Sequence, residues 1–340
     1  MTGMYVLLAL LLLGVLIIAH EAGHFWAARA TGIEVQEFAM GMGPRLASWT
    51  SKRGTRFVLR LLPIGGYCQF YDEDDERAFN HQGVWKRMLT VLSGPVMNFA
   101  VALLVIVLYL SALGVMSIVS RVEAVEPNAA QAGLLPGDWI LAVNGVDIEN
   151  AQEAFSAIAD SEGRDVTLRV AQDANSEARE ITITPFYDEE VSRYRLGFTF
   201  AQERMRLSLL ESVPFSVRYN IESVAAIVKT LKNLIFKGEG VSDVTGPVGT
   251  VYIIQEVTQQ GGIDIYLELL ALISVNLGVM NLLPIPGLDG SKALFLLAEG
   301  IRKKPVRRDL EGAIHAAGFI LLMALMLVLT YKDIMQIFVK

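Results

Sequence analysis

The sequence has little of what several common protein classes require. Its single cysteine, Cys68, excludes an internal disulfide and any cysteine-rich metal site. Charged residues make up only 19% of the 340 residues, and the net charge of −7 gives no basic surface for nucleic acid. What the chain has in abundance is apolar: hydrophobic residues form 53% of it. That share is high for a soluble protein and predicts a chain that lies partly in lipid.

Four stretches are long and apolar enough to cross a bilayer, which needs about 20 residues. They cover residues 5–28, 89–113, 265–283 and 313–330. The first has no basic region before it and no convincing cleavage site after it, so we interpret it as a span of the mature protein and not as a signal peptide. The sequence therefore predicts a polytopic α-helical membrane protein with four transmembrane helices.

Basic residues in the short loops predict the orientation of these spans. Nine Lys or Arg lie between residues 29 and 87, six lie between residues 292 and 308, and none lies in Met1–Met4. By the positive-inside rule both loops are cytosolic. Both termini and the long segment at about 117–262 are then expected outside the cytoplasm.

The region from Arg121 to Phe200 has the pattern of a small α+β domain. Short alternating strands are separated by the turn sequences PGD and NGV, and one helical stretch covers about Ala151 to Ala159. The run VEPNAAQAGLLPGDWILAVNGVDI resembles a PDZ domain, with RLGFTF in the place of that family's carboxylate-binding loop and groove strand. The resemblance implies a groove at Leu196, Gly197 and Phe198 that binds an extended peptide or its C-terminus. A generic small β domain is the alternative.

Residues 206–236 are amphipathic, with apolar residues three and four positions apart, and contain Pro214. We predict a helix, broken at this proline, on the outer membrane surface or against the spans; a plain linker is equally compatible. The expected organisation is a membrane core at 1–116, a PDZ domain at 117–202, an extracytoplasmic amphipathic helical segment at 203–262 and the rest of the membrane core at 263–340.

The first span contains HEAGH, which places His20, Glu21 and His24 where a lipid-buried helix should stay apolar. Residues i and i+4 share one face of a helix, so both imidazoles can bind one metal ion. The adjacent glutamate is suited to act on a water molecule as a general base. The alternative is a buried polar cluster that ties helices together.

A catalytic zinc site needs a third protein ligand, and Asp289 in NLLPIPGLDG is the best candidate. Pro284 and Pro286 prevent a regular helix there, so we expect Asp289 on unwound backbone that lines a cavity. Counted from the outer ends of their parallel spans, His20 and Asn281 both lie about 22–24 Å deep at 1.5 Å per residue. The two motifs are therefore expected to meet near the cytosolic side of the bilayer. An ordinary loop carboxylate is the alternative.

Together these motifs resemble the bacterial site-2 proteases of the RseP-like group, which are intramembrane metalloproteases. The resemblance covers nearly the whole chain and includes GMGPRL, LRLLPIGGYCQF, WKRMLTVLSGPVMNF and TGPVGT. Two features depart from it. The chain has one PDZ domain where the best-known members have two, and Ser93 and Gly287 replace small alanine-like residues.

The resemblance implies regulated intramembrane proteolysis in a bacterial cytoplasmic (inner) membrane, with one zinc ion on His20, His24 and Asp289 and with Glu21 as the base. It implies that residues 55–70 form a β-hairpin dipping into the membrane, whose edge holds the substrate as an added strand. The implied substrate-binding residues are Asn281, Asn98, Gly65, Gly66 and Pro284.

The implied substrates are single-span membrane proteins, such as an anti-sigma factor already trimmed outside the membrane or remnant signal peptides. Two other functions remain open from the residues alone. One is a proton-coupled transporter with buried ionisable residues beside a broken helix, although no internal repeat supports it. The other is a catalytically inactive membrane scaffold that presents its PDZ groove.

Overall fold

The structure is a computed structural model that describes residues 2–71, 75, 77–148, 150–161, 163–172, 176–189, 193–240 and 244–338. The chain divides into two compact units. Met1–Ser111 and Ser208–Lys340 form the first, which we call the helical unit, and Ala112–Leu207 forms the second, which we call the inserted unit.

The elements in chain order are α1 (Thr2–Thr31), β1 (Val35–Thr50), β2 (Arg56–Phe70), α2 (Val84–Leu108), β3 (Val115–Val125), α3 (Pro127–Gln131), β4 (Trp139–Val143), β5 (Val146–Asp147), α4 (Ala151–Ala159), β6 (Val166–Ala171), β7 (Arg179–Ile183), β8 (Phe186–Asp188), β9 (Arg193–Arg195), β10 (Phe198–Met205), α5 (Leu209–Lys237), α6 (Pro247–Leu282), α7 (Asp289–Arg302) and α8 (Arg308–Phe338). A short 3-10 turn at Phe79–His81 precedes α2, and a π-helical turn at Tyr109–Leu113 follows it.

Four helical stretches in the described part of the chain are long and apolar enough to cross a membrane. They are Gly3–Thr31, Val84–Leu113, Gly261–Leu282 and Asp309–Ile337. Each of the four stretches expected from the sequence falls largely within one of them. The helical unit therefore has the composition of a membrane domain.

Close helix packing in this unit depends on small residues. A Cβ atom added to Gly23 of α1 would lie 2.3 Å from the carbonyl oxygen of Ser93 in α2, so α1 and α2 approach at backbone distance only because residue 23 is glycine. Farther toward the start of α1, Ala9, Leu12 and Leu16 pack against Ile254 of α6. The first span is thus held between α2 and α6.

The strands β1 and β2 form a sheet in which each strand is used twice. Residues 35–40 pair antiparallel with residues 66–70, with Val35 opposite Phe70, and residues 45–50 pair antiparallel with residues 56–60. Residues 35–40 also lie beside residues 56–60, since Phe38 is opposite both Cys68 and Phe57. The segments therefore follow one another across the sheet as 66–70, 35–40, 56–60 and 45–50.

This arrangement differs from the hairpin expected within residues 55–70. The two halves of β2 are separated by residues 35–40 and do not pair with each other. Tight glycine turns allow the strands to fold back: Gly65 has a φ of +84°, and a Cβ atom on Gly41 would lie 2.3 Å from the carbonyl oxygen of Leu62. Segment 66–70 is consequently an edge, and no described strand pairs with its outer side.

A buried carboxylate fastens this edge to the rest of the sheet. Glu37 accepts hydrogen bonds of 2.5 Å from the Tyr67 hydroxyl and from Nε of Arg56. The Arg60 guanidinium donates to the same tyrosine oxygen at 2.7 Å. Because Glu37 is buried, its carboxylate needs these hydrogen-bond partners. They fix segment 66–70 to segments 35–40 and 56–60.

The amphipathic helix expected within residues 206–236 is present but is not broken at Pro214. Helix α5 continues through Pro214 without a break, and its serines bond to the second span: Ser212 Oγ lies 2.8 Å from Ser111 Oγ, and Ser216 donates to the Leu103 carbonyl oxygen at 2.7 Å. Of the two expected placements, the structure has the helix against the spans. Helix α6 already begins at Pro247 and contains one non-helical residue, Gly262.

The inserted unit is an α+β domain. Strands β10, β3, β4, β6 and β7 follow one another in a sheet, and β5 pairs with β4. The expected helix Ala151–Ala159 is α4, capped by Asn150, whose side-chain oxygen accepts from the Glu153 backbone N–H at 3.0 Å. Ile140, Leu168 and Ile158 lie in one core between the sheet and α4. Strands β8 and β9 form a separate two-stranded antiparallel sheet.

Candidate metal centre

The three side chains expected to bind a metal meet in the helical unit. His20 and His24 lie one turn apart on α1, and Asp289 is the first residue of α7. The expectation of unwound backbone holds only for the residues before Asp289, since the chain returns to helix there. A carboxylate at a helix N-terminus is favoured by the helix dipole. Among the described residues, these three form the one group arranged to hold a metal ion.

The three ligand atoms form a nearly equilateral triangle. Nε2 of His20 lies 3.2 Å from Nε2 of His24, and Oδ2 of Asp289 lies 3.0 Å and 3.2 Å from these two nitrogens. A tetrahedral zinc ion with ligands at about 2.0–2.1 Å separates neighbouring ligand atoms by about 3.3 Å. The triangle therefore fits three corners of a zinc tetrahedron.

Backbone and side-chain groups from α2 orient the two imidazoles. Nδ1 of His24 lies 2.8 Å from the carbonyl oxygen of Thr90, which can only accept, so Nδ1 carries the proton and Nε2 keeps its lone pair. Nδ1 of His20 lies 3.2 Å from the amide of Asn98. It is the amide nitrogen of Asn98 that faces Nδ1, and the amide oxygen has no hydrogen-bond partner in the described part of the chain. Exchanging the two amide atoms by a 180° turn lets the oxygen accept from Nδ1 of His20. Both rings then present Nε2 to a metal.

Gly94 of α2 provides the space that the imidazoles occupy. A Cβ atom there would lie 2.3 Å from Nε2 of His24 and 2.9 Å from Cε1 of His20. Any larger residue would displace both rings. Glycine at this position is therefore required by the ligand geometry.

The three ligands open into a cavity of about 460 Å³. Glu21, Asn281, Lys292 and His315 also line it. Segment 66–70 forms another wall through Tyr67, Cys68 and Phe70, and a Cβ atom on Gly66 would lie 3.4 Å from Cγ of Glu21. The edge strand and the glutamate are therefore neighbours.

The residues expected to bind substrate occupy different places. Asn281 lines the cavity, and Gly66 lies beside Glu21. Asn98 is fully buried against His20. Gly65 lies at the turn before the edge strand, and neither Gly65 nor Pro284 is among the residues that line the cavity.

The inserted unit contains a second cavity, of about 540 Å³, between α4 and β10. Leu196 and Phe198, two of the three residues expected at a peptide groove, line it together with Phe155 and Tyr194. Gly197 does not line it. Its φ is +78°, its carbonyl oxygen accepts from the backbone N–H of Glu126 at 2.7 Å, and a Cβ atom there would lie 2.0 Å from Oδ1 of Asn128. Gly197 therefore shapes the loop.

Comparison with known proteins gives consistent matches along the chain. The profile described as peptidase family M50 matches residues 8–325. A zinc metalloprotease named RasP from Shouchella clausii is 32% identical, over 95% of this chain and 97% of its own. A relative from Clostridium acetobutylicum is 31% identical, over 97% of both chains. The regulator of sigma-W protease RasP from Bacillus subtilis is 26% identical, over 97% of this chain and 98% of its own.

Among solved structures, the PDZ domain of an SdrC-like protein from Listeria monocytogenes is similar to part of the chain. The identity is 20%, the match covers 25% of this chain and 86% of that one, and the TM-score is 0.20, too low to support an argument about the fold. The family match and the near full-length relatives do not depend on it. The chain belongs to peptidase family M50 and is a metalloprotease of the site-2 protease type.

Proposed function

We propose that the protein is a zinc-dependent intramembrane endopeptidase that cleaves the transmembrane segments of single-span membrane proteins. The observation that carries the proposal is the ligand triangle of His20, His24 and Asp289, which lies at candidate membrane spans and beside Glu21. Two imidazoles and a carboxylate are a common catalytic zinc set that leaves a position open. No comparable observation supports a transporter or an inactive scaffold.

Glu21 is proposed as the general base. It lines the cavity beside the ligands and is half-buried, so it is close to water and to a bound peptide at the same time. It takes a proton from the attacking water and delivers it to the leaving nitrogen. A zinc ion, when bound, supplies Lewis-acid chemistry at the scissile carbonyl.

The proposed substrate site is the open edge of segment 66–70. Peptide bonds inside a helix are shielded by their own hydrogen bonds, so a transmembrane substrate must be unwound before water can attack it. An extended peptide paired with this edge keeps its backbone hydrogen-bonded while it lies along the cavity wall. Asn281 lies in the same cavity and is suited to bond that backbone. For Asn98 we propose orientation of His20; its contact with substrate stays a prediction.

The proposal is tested with the purified full-length protein and a single-span substrate in lipid vesicles. We expect cleavage within the span that stops on metal chelation and returns with zinc. A substrate whose span is kept helical by leucine and alanine substitutions should be cut more slowly than one containing glycine, because unwinding it costs more. A protein that binds zinc tightly but cuts no span would contradict the proposal and favour the scaffold.

The proposed location is the bacterial cytoplasmic membrane, with both termini and the inserted unit outside and the metal centre toward the cytosol. A reporter enzyme that works only outside the cytoplasm should therefore be active when fused after Lys340, which lies outside the described residues, because four spans return the chain to the side on which it began. The same reporter placed in the basic loop after Arg302 should be inactive, because that loop is expected in the cytosol. The reverse pattern, or equal signals, would mean that the orientation or the number of spans is wrong.

We propose that the inserted unit is a PDZ domain that excludes substrates with bulky outer domains. Val115 of β3 pairs with Met205 of β10, so the unit can be removed between these residues with a short linker. The shortened protein should cut a short single-span substrate at the normal rate and should also cut one that still carries a folded outer domain. Loss of cleavage of the short substrate, with zinc still bound, would contradict the exclusion role.

Docking of a peptide C-terminus in the groove is the alternative role. Phe198→Asp tests it, because the added carboxylate would repel the terminal carboxylate of a docked peptide. Gly197→Asp is a poorer choice, since its Cβ would meet Asn128 whatever its charge. Slower cleavage by Phe198→Asp of a substrate with a free outer C-terminus would favour docking.

A further inference from the structure

The last helix, α8, contacts the rest of the helical unit at few places. Of the apolar, membrane-crossing stretch within Asp309–Ile337, only 6% is buried. Polar contacts lie near both of its ends, and Lys332 donates to the Val244 carbonyl oxygen at 2.9 Å. His315 contacts the loop that precedes Asp289, and Asp333 accepts hydrogen bonds from the backbone N–H groups of Gly246 at 3.1 Å and Gly249 at 2.7 Å. The His315 contact joins α8 to the metal centre.

At that contact the backbone of the loop is fixed by a side chain of α8. The backbone N–H of Gly287 donates to Nδ1 of His315 at 3.1 Å. Gly287 has a φ of +99°, a conformation that favours glycine, and lies two residues before Asp289. A Cβ atom on Gly318, one turn farther along α8, would lie 2.3 Å from the carbonyl oxygen of Pro286. The loop and α8 are therefore in backbone contact.

The other ring nitrogen of His315 makes no comparable contact. Because Nδ1 accepts a hydrogen bond, the neutral ring carries its proton on Nε2. Nε2 is buried without a hydrogen-bond partner in the described part of the chain, and its nearest carboxylate oxygen, on Glu311, lies 4.0 Å away. The hydrogen bond that the structure gives His315 is thus made by Nδ1, and it leads to the backbone of the ligand loop.

We propose that His315 is a positioning residue for the metal centre: its Nδ1 holds the Gly287 N–H and so fixes the direction in which the chain enters α7 and presents Asp289. The inference rests on the proposed role of Asp289 as a ligand. Without this acceptor, the loop has lost one of the contacts that determine where the carboxylate lies. Interactions that orient a metal ligand typically contribute 10- to 100-fold to metal affinity.

The test uses two substitutions that each keep one end of the imidazole. The amide oxygen of His315→Asn lies close to the position of Nδ1 and can accept from Gly287, whereas the longer amide of His315→Gln places its polar group nearer the position of Nε2. We expect Asn to retain zinc like the wild type against a competing chelator and Gln to lose it about 10-fold faster or more. With cobalt in place of zinc, Gln should shift the visible absorption bands of the metal and Asn should not.

Two controls separate this inference from the proposed ligand set. Asp289→Asn must weaken zinc retention; if it does not, the ligand assignment itself fails. Asp333→Asn alters the contact at the other end of α8 and should leave both metal readouts unchanged. If Asp289→Asn loses zinc while His315→Gln retains it with an unshifted cobalt spectrum, the positioning role is wrong. It is also wrong if Asn fails to retain zinc, or if Asp333→Asn has the same effect as Gln.

Discussion

Glu21→Gln is expected to lower the rate of peptide cleavage about 1,000-fold while the protein still binds one zinc ion. The amide has nearly the same shape as the carboxylate and can hold a water molecule, but it cannot take a proton from it. General base catalysis of this kind contributes about 100- to 10,000-fold. The measurements are the single-turnover cleavage rate of a single-span substrate in vesicles and the zinc content after dialysis against a chelator.

The matched control is Glu222→Gln, which makes the same chemical change on α5. The Glu222 side chain is 62% exposed and pairs with Arg218 four residues earlier. Exposed pairs of this kind contribute little to stability, so this variant should cleave and bind zinc like the wild type. Normal turnover by Glu21→Gln would remove Glu21 from the role of base. Loss of zinc from it would instead mean that the glutamate contributes to holding the metal.

The sequence predicts the site because its residues are tied to short-range rules. His20 and His24 are four residues apart, and a helix alone places them on one face. Their expected meeting with Asp289 rests on the equal depth of His20 and Asn281 in two parallel spans, and the structure brings the three ligand atoms to within 3.0–3.2 Å of one another. Neither argument requires knowledge of how the spans pack.

Residues that act through packing were not predicted. Thr90 contributes a backbone carbonyl, so its side chain gives no signal in the sequence. Gly94 lies in an apolar helix where glycine is common, and its role depends on the way α2 faces α1. His315 is separated from Gly287 by 28 residues, and nothing in the spacing predicts their contact. These residues became visible only with the tertiary structure.

The β-sheet shows the same limit. The resemblance to the site-2 proteases implies β-structure at 55–70, and residues 56–70 are strand in the structure. The sequence does not say which strand lies beside which. Residues 35–40 occupy the position between the two halves of β2, and the buried Glu37 with its tyrosine and arginine partners stabilises that order. The same order leaves segment 66–70 as an edge on the cavity.

Gly94→Ala is expected to weaken zinc binding strongly and to lower cleavage with it. A Cβ atom at this position would lie 2.3 Å from Nε2 and 2.4 Å from Cε1 of His24, closer than atoms can approach. The rings must move, or α2 must shift away from α1 and open the close packing of Gly23 against the Ser93 carbonyl. Overpacking of this kind costs about 1–3 kcal/mol of stability.

The effect on metal binding should be larger than the effect on folding. A shift of either ring also breaks its bond to Thr90 or Asn98, so both the position and the orientation of Nε2 are lost. We expect zinc affinity at least about 100-fold below that of the wild type, the upper end of what loss of ligand orientation produces. The measurement is competition for zinc with a chelating dye, alongside a circular dichroism spectrum that verifies retained helix.

Gly312→Ala makes the same change in α8, where an added Cβ atom would have nothing within 4 Å. Alanine is the better helix former, by as much as about 1 kcal/mol, so this variant should fold at least as well as the wild type and keep its zinc. The contrast isolates contact with the imidazoles from the general effect of replacing a helical glycine. If Gly94→Ala binds zinc and cleaves like Gly312→Ala, the two histidines do not lie against α2 in the active protein, and the ligand triangle described above is not the working metal centre.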